Sequence, residues 1–145
     1  MKKGFTLIEC IISISIVGIM VGLVSISIES YKKIENDIKI SNTNNGIFYF
    51  INTYKKYCMI QECSGSINFD VSNDKITFVS NGKQIDEYIF LDGIDLYNPN
   101  LINHKMNIDN KGYSSNAFTL KYRDSMKKLH TITFSVGVDY AEIKY

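Results

Sequence analysis

The sequence contains few histidines and cysteines, which are common as catalytic groups and metal ligands, and it has almost no net charge. It contains two histidines and three cysteines, and its formal net charge is +1. A chain without a basic excess is a poor candidate for binding nucleic acid nonspecifically through bulk charge. It also lacks a Gly-x-Ser-x-Gly elbow, a phosphate-cradling loop and a paired metal motif. We therefore expect neither an enzyme nor a bound cofactor.

The few candidate ligands are scattered along the chain. His104 falls in a predicted loop and His130 at the start of a predicted strand, where we expect both to be solvated. Cys10 lies in an apolar run, where a thiol packs as a small hydrophobic group. Cys58 and Cys63 alone make half a zinc site at best, so we expect no metal. The two either stay thiols or, if this part of the chain is exported, form a disulfide that closes a short loop.

Charge is also missing from a long stretch near the amino terminus. From Phe5 to Ile28 the only acidic or basic side chain is Glu9, and Lys2 and Lys3 precede the stretch. About 20 predominantly apolar residues suffice for a helix to cross a bilayer. Lysines mark the cytosolic side of such a helix. The sequence therefore predicts a membrane helix over residues 5–28 with its amino end inside the cell.

Glu9 is unusual because a carboxylate within a membrane helix is costly. One interpretation places it at the cytosolic edge, where it reaches water. The other begins with cleavage after Gly4, which would create an ammonium on Phe5. Residues 5 and 9 share a helix face, so Glu9 of one subunit could neutralise the Phe5 ammonium of a neighbour. Such a pair would be strong in a low dielectric and would set the register between subunits.

The stretch Lys2-Lys3-Gly4-Phe5-Thr6-Leu7-Ile8-Glu9 resembles the leader and cleavage site of type IV prepilins and pseudopilins. The resemblance implies that a prepilin peptidase cuts after Gly4 and N-methylates Phe5, and that Glu9 is the family's assembly glutamate. It implies as further partners other pilin or pseudopilin subunits, an assembly platform in the cytoplasmic membrane, and membrane lipid. Without the leader, 14 basic side chains face 15 acidic ones, so the net charge does not support DNA as a partner.

Two rival interpretations of the amino terminus differ in how much they explain. A secretory signal peptide needs a shorter apolar core and a small-residue cleavage site after it. Here the apolar run is longer, holds a glutamate and lacks an Ala-x-Ala-like end. A single-pass anchor for an extracytoplasmic binding module that does not polymerise explains the length and the lysines, but not the Gly-Phe junction or Glu9. This anchored module remains the alternative.

The helix is predicted to continue past the membrane and to change its apolar face. Tyr31, Ile34 and Ile38 share one face, at spacings of three and four residues. A second stripe lies on nearly the opposite face: Ile40, Ile47, Phe50, Ile51, Tyr54 and Cys58. We expect the first stripe to face other subunits and the second to pack on the chain's own sheet. Because Ser41–Gly46 forms helix poorly, the helix either continues or breaks near Asn44–Gly46 into two helices; we favour continuity.

The rest of the sequence predicts strands. Alternating apolar residues and turn signals mark the following segments: Ile67–Val71, Lys75–Ser80, Lys83–Phe90, a short strand within Asp92–Pro99, Met106–Asp109, Ala117–Arg123, His130–Val136 and Val138–Lys144. Asn81-Gly82 is a strong hairpin signal. A helix followed only by strands predicts an α+β fold. This is the type IV pilin-like fold that the resemblance implies, with a long amino-terminal helix and a carboxy-terminal antiparallel sheet domain. The predicted division is 1–4 leader, 5–28 membrane and assembly helix, 29–63 soluble helix, and 64–145 sheet domain.

One predicted hairpin is rich in basic residues. Around Tyr122 it carries Lys121, Arg123, Lys127, Lys128 and His130. We favour a charged, solvated hairpin over its alternative, in which these residues contact DNA phosphates at a filament tip. The glycine before Ala117–Arg123, the basic turn, and Thr131-Ile132-Thr133-Phe134 with a late glycine are similar to minor pseudopilins of the FimT/GspH type and to Gram-positive competence pseudopilins.

The function that these features predict is that of a structural subunit. We expect a minor pilin or pseudopilin, held in the cytoplasmic membrane by a single helix with its amino terminus inside and its carboxy-terminal domain outside. From there it would enter a filament at the cell surface. The sequence does not distinguish a pilus from competence DNA uptake or type II secretion.

Overall fold

The computed structural model of the protein describes residues 6–97, 99, 104–114, 117–135 and 141–144. These residues form one helix, α1 (Leu7–Ile60), and then the strands β1 (Gly65–Asp70), β2 (Lys75–Ser80), β3 (Lys83–Ile89), β4 (Asp95–Tyr97), β5 (Lys105–Ile108), β6 (Phe118–Arg123), β7 (Leu129–Phe134) and β8 (Ala141–Lys144). The chain divides into two compact units, Met1–Asp37 and Ile38–Tyr145. The predicted α+β class is confirmed.

Both apolar stripes of α1 lie where the periodicity predicts. Tyr31, Ile34 and Ile38 are exposed, each by more than half of its surface. The second stripe is buried throughout and forms the helical part of the hydrophobic core: Ile40, Ile47, Phe50, Ile51, Tyr54 and Cys58. The predicted change of face along the helix is therefore confirmed.

The helix runs without a break through Ser41–Gly46, although these residues are poor helix formers. Tertiary contacts explain why it holds. Asn44 is buried, and its Oδ1 accepts a hydrogen bond of 2.7 Å from Tyr122 Oη. A Cβ at Gly46 would lie 2.5 Å from Tyr88 Oη, so the glycine leaves room for that ring in its present position. Packing of this helical segment outweighs its weak intrinsic propensity.

The strands form two antiparallel four-stranded sheets. Sheet A has the order β3-β2-β1-β5, and sheet B has the order β4-β6-β7-β8. The predicted hairpin between β2 and β3 turns at Asn81 (φ 51°) and Gly82 (φ 73°), the two left-handed positions that an Asn-Gly turn supplies. The ends of β1, β3, β5, β6 and β7 agree with the prediction within two residues, and β2 has the predicted bounds. Residues 136–140, which fall in the two last predicted strands, lie outside the described part.

The division into two sheets was not part of the prediction, which treated the strands as one sheet domain. A hydrogen bond and an aromatic contact join the two sheets. Asp74, in the turn between β1 and β2, accepts a 2.7 Å hydrogen bond from the Leu96 backbone N–H of β4. Phe69 of β1 packs against Phe118 of β6, with ring centroids 5.5 Å apart. Both sheets contribute to one core with the second half of α1.

Strand β3 forms one edge of sheet A and is exposed along almost its whole length. It carries Lys83, Asp86 and Glu87, and Glu87 forms a 3.1 Å salt bridge with Lys75 of β2. The pairing register with β2 shifts between Phe78 and Val79, which marks a β-bulge. Charges and a bulge are features that discourage further strands from pairing with an edge.

Candidate functional site

The start of α1 is a capping box built from Thr6 and Glu9. Glu9 Oε2 accepts two hydrogen bonds of 2.8 Å, from the Thr6 backbone N–H and from Thr6 Oγ1. Thr6 Oγ1 in turn accepts a 3.4 Å hydrogen bond from the Glu9 backbone N–H. This reciprocal pattern satisfies backbone donors that a helix leaves unpaired in its first turn. Within a single chain, Glu9 therefore stabilises the first turn of its own helix.

The predicted cleavage and methylation site, Gly4 and Phe5, lies outside the described residues. Its geometry relative to Glu9 is accordingly a prediction, as is the pairing of Glu9 with a neighbouring subunit. The capping box nevertheless adds a local role for Glu9 that the sequence reasoning missed. Its signal was present in the spacing Thr6-x-x-Glu9, which is that of a capping box before an apolar run.

The described side chains of the first turns of α1 are all exposed. In residues 6–24 every side chain is exposed, and the large apolar ones are Leu7, Ile8, Ile11, Ile12, Ile14, Ile16, Val17, Ile19, Met20, Val21, Leu23 and Val24. Among the described residues, α1 is long and apolar enough to cross a membrane by length and composition. An apolar surface this extensive calls for lipid or other apolar helices around it.

The polar groups within this apolar segment have partners in the helix itself. Ser13 Oγ donates to the Glu9 carbonyl at 2.7 Å, and Ser15 Oγ donates to the Ile11 carbonyl at 2.8 Å. In a hydrocarbon environment a hydroxyl without a hydrogen-bond partner is costly. Bonding back to the preceding turn lets both serines face an apolar environment.

The two cysteines at the end of α1 lie together. Cys58 is buried in the last turn of the helix, and Cys63 is half-buried before β1. The structure describes both as thiols in hydrogen-bonding contact, and burial, followed by the neighbouring Cys63, raises the pKa of the Cys58 thiol to about 11. The predicted disulfide between them remains a prediction.

The basic hairpin between β6 and β7 is partly paired within the chain. The Arg123 guanidinium lies 4.3 Å from the centre of the Tyr97 ring. Lys127 Nζ forms an exposed 3.2 Å salt bridge with Asp95. Lys121 is half-buried and Lys128 is exposed. An acidic side chain therefore lies among the candidate DNA-contact residues, which weakens the local positive charge.

His130 does not belong to the surface of this hairpin, so the prediction that it is solvated is wrong. It is 3% exposed, and its Nε2 lies 2.9 Å from Asp124 Oδ2. Asp124 is also buried, and its Oδ1 accepts hydrogen bonds from the backbone N–H groups of Met126 and Lys128. The His130 ring stacks on Tyr122 at 5.2 Å. Burial follows from β-strand alternation, because His130 shares a face with the buried Ile132. His104, in contrast, is exposed as predicted.

In the part of the chain that the structure describes, no group of three or more His, Cys, Asp or Glu residues is placed to hold a metal ion. In the acidic turn between β1 and β2, the Asp70 carboxylate accepts its hydrogen bonds from within the turn. Asp70 accepts hydrogen bonds from the Ser72 N–H, the Asn73 N–H and Asn73 Nδ2. These bonds, above all the one from the Asn73 side chain, hold the pKa of the Asp70 carboxyl below its usual value.

Comparisons with known proteins bear on the amino terminus and on the fold separately. A family model described as the prokaryotic N-terminal methylation motif matches residues 1–25. Among solved structures, the minor pseudopilin EpsH from the type 2 secretion system of Vibrio cholerae is similar, with a TM-score of 0.54. The two chains are 14% identical, and the match covers 73% of this chain and 94% of EpsH. No curated protein matches the sequence.

The family model concerns the amino-terminal residues and the structural match concerns the fold, and both are consistent with a pilin-like chain. The motif match confirms the resemblance stated for the leader and the residues after it. The structural match shows the fold, a long helix followed by antiparallel sheets. The motif and the apolar helix together indicate anchoring in a membrane. The chain therefore carries a prokaryotic N-terminal methylation motif in its first 25 residues and has a fold similar to that of a minor pseudopilin.

Proposed function

We propose that the chain is a minor pilin or pseudopilin subunit that enters a type IV pilus-like filament through its amino-terminal helix. One observation carries the proposal: the methylation motif at residues 1–25 overlaps the start of α1, where every side chain from residue 6 to residue 24 is exposed. Such a surface suits storage in lipid first and packing against other subunit helices later. The subunit itself performs no reaction in this proposal.

Processing is the first step. A prepilin peptidase cuts after Gly4 and methylates the new amino group of Phe5. A Gly4→Val variant should then accumulate as full-length precursor on a gel, whereas the wild type yields a shorter band whose amino terminus is methylated Phe5 by mass spectrometry. Gly18→Ala is a suitable control, because a Cβ at Gly18 meets nothing within 4 Å. A mature-sized band in Gly4→Val would contradict the processing step.

Assembly is the second step, and in it Glu9 pairs with the Phe5 ammonium of a neighbouring subunit. Glu9→Gln separates this role from helix capping, because the amide oxygen can still accept the bonds from Thr6 whereas the charge is lost. We expect Glu9→Gln and Glu9→Ala to be cleaved normally and to be depleted from sheared filament fractions. Thr6→Val removes the hydroxyl and keeps the carboxylate, so it should assemble better than either. Wild-type incorporation of Glu9→Gln would contradict the register role.

The proposed location follows from the same features. Lys2 and Lys3 keep the amino terminus in the cytosol until cleavage, so residues 38–145 lie outside the cytoplasmic membrane. Partners are the prepilin peptidase, lipid, other pilin-like subunits and an assembly platform in that membrane. An intact Met1, with the chain absent from every filament fraction, would support a membrane-anchored binding module instead. Co-purified machinery would distinguish a secretion system from a pilus or a DNA-uptake device.

A further inference from the structure

The end of α1 has a backbone geometry that brings two particular side chains together. Glu62 has a positive φ of 50°, and the Cys63 N–H donates a 3.1 Å hydrogen bond to the Cys58 carbonyl, five residues back. A left-handed residue followed by this bond is the signature of a Schellman motif. In that motif the side chains at the positions held here by Cys58 and Cys63 commonly touch. The local fold, and not proximity in sequence alone, therefore pairs the two thiols.

The first residue of β1 and the last residue of β2 lie next to the two sulfur atoms. Gly65 of β1 pairs with Ser80 of β2. A Cβ on Gly65 would lie 3.2 Å from Cys58 Sγ, and Ser80 Oγ lies 3.6 Å from Cys63 Sγ. Ser80 Oγ also donates to the Ser64 carbonyl at 2.9 Å, which fixes the segment between Cys63 and β1. Both sulfurs are thus positioned at the same end of the β1–β2 pair.

We propose that Cys58 and Cys63 form an intramolecular disulfide that locks the last turn of α1 to the entry of β1. Export of residues 38–145, part of the proposed function, would place the pair in an environment where disulfides persist. The pairing itself is a property of the chain and does not depend on the filament. Disulfides require side chains that approach each other closely, and the two thiols are already in hydrogen-bonding contact at this motif.

The reaction is a thiol–disulfide exchange with an external disulfide as the oxidant. Cys63, which is half-buried, loses its proton and attacks one sulfur of that disulfide, and one thiolate leaves. The Cys58 thiolate then attacks Cys63 Sγ in the mixed disulfide and displaces the second thiolate. Two protein thiols are oxidised, and the two electrons and two protons end on the two thiols of the reduced oxidant. Because burial raises the pKa of Cys58, the second step should become faster as pH rises.

Counting thiols in the purified full-length chain tests the proposal. The reduced chain in detergent is exposed to glutathione disulfide, quenched with acid, unfolded and labelled with a maleimide that adds visible mass. Of the three cysteines, we expect only Cys10 to be labelled after oxidation, and all three after treatment with dithiothreitol. Labelling of all three after oxidation, or a stable glutathione adduct on Cys63, would overturn the proposal and leave the filament proposal untouched.

Cys63→Ser provides the matched control. It removes the half-buried partner and leaves the buried Cys58 in place, so two thiols should be labelled before and after oxidation. The locking role has its own readout, since reductant should lower the melting temperature of the oxidised wild type by about 5 °C or more and should not change that of Cys63→Ser. If the melting temperature of the oxidised wild type were the same with and without reductant, the locking role would be overturned.

Discussion

Asp74 connects three segments from one position in the turn between β1 and β2. Its Oδ1 accepts the Leu96 N–H at 2.7 Å, and its carbonyl accepts the Phe90 N–H at 3.0 Å. It has a positive φ of 45°, a conformation that aspartate and asparagine tolerate better than most residues. Leu96 is buried, so its N–H would have no easy substitute partner. Asp74 therefore links sheet A to the first strand of sheet B.

Asp74→Ala should destabilise the Ile38–Tyr145 unit by about 1–3 kcal/mol, the usual effect of leaving a buried donor unpaired. Denaturant unfolding of the full chain in detergent measures this loss. Asp74→Asn keeps an acceptor oxygen and tolerates the positive φ, so it should lose clearly less. Equal losses in the two variants would show that the bond to Leu96 is not what matters.

Asp70, in the same turn, should make stability depend on pH. Its folded-state pKa lies below the ordinary value of 3.8, because Asn73 and Ser72 donate hydrogen bonds to the carboxylate. A carboxyl group with a depressed pKa stabilises the fold above the unfolded pKa, and this contribution is lost as pH falls through the folded pKa.

Wild type and Asp70→Asn should therefore differ in stability at neutral pH and converge in strong acid. Melting temperatures measured across the acid range test this. Asp92→Asn, which changes an exposed acid outside the turn, should not reproduce the pattern. A gap between wild type and Asp70→Asn that stays constant with pH would contradict the expectation.

At the scale of elements, the loop after β5 is held against the last turns of α1. Gly112 has a positive φ of 80°, and a Cβ there would lie 2.7 Å from the Lys55 carbonyl oxygen, a backbone atom that cannot move aside cheaply. Asp109 shapes the same loop by accepting hydrogen bonds from the Lys111 and Tyr113 N–H groups. The glycine serves both the turn and the close approach to the helix.

Gly112→Ala should cost more stability than Gly82→Ala. Both glycines have positive φ, but a Cβ at Gly82 meets nothing within 4 Å. Gly82→Ala should lose about 1 kcal/mol from the backbone conformation alone, and Gly112→Ala at least about 2 kcal/mol. Unfolding curves of the two variants give the comparison. Similar losses would mean that the loop moves away from Lys55 without penalty.

Local patterns predicted the elements of this fold well, and long-range contacts explain what they left out. Lys75–Ser80 was predicted with its observed bounds because turn residues flank it on both sides. The two sheets could not be told apart, because alternation identifies the faces of a strand but not its partners. The burial of His130 could have been inferred from its alternation with Ile132. Its partner Asp124, however, lies across a turn that periodicity does not describe.

For the molecule as a whole, the net charge bears on whether the surface can bind DNA. The net charge is +1, and the basic hairpin has Asp95 bonded to Lys127. In a filter-binding assay with the full chain in detergent, we expect no salt-sensitive retention of DNA. Replacing Lys121, Arg123, Lys127 and Lys128 by alanine should then change nothing. Salt-sensitive retention that disappears in this variant would instead establish the hairpin as a DNA contact.

Strand β3 has a consequence for how copies of this protein can aggregate. Lysine and carboxylate side chains lie along this edge strand, and a β-bulge interrupts its pairing register. Lateral growth by strand addition, as in amyloid, is disfavoured at this border. Copies of the protein should therefore not join through β3, and a filament assembled through the apolar helix as proposed should dissolve in detergent and not bind dyes that recognise stacked strands.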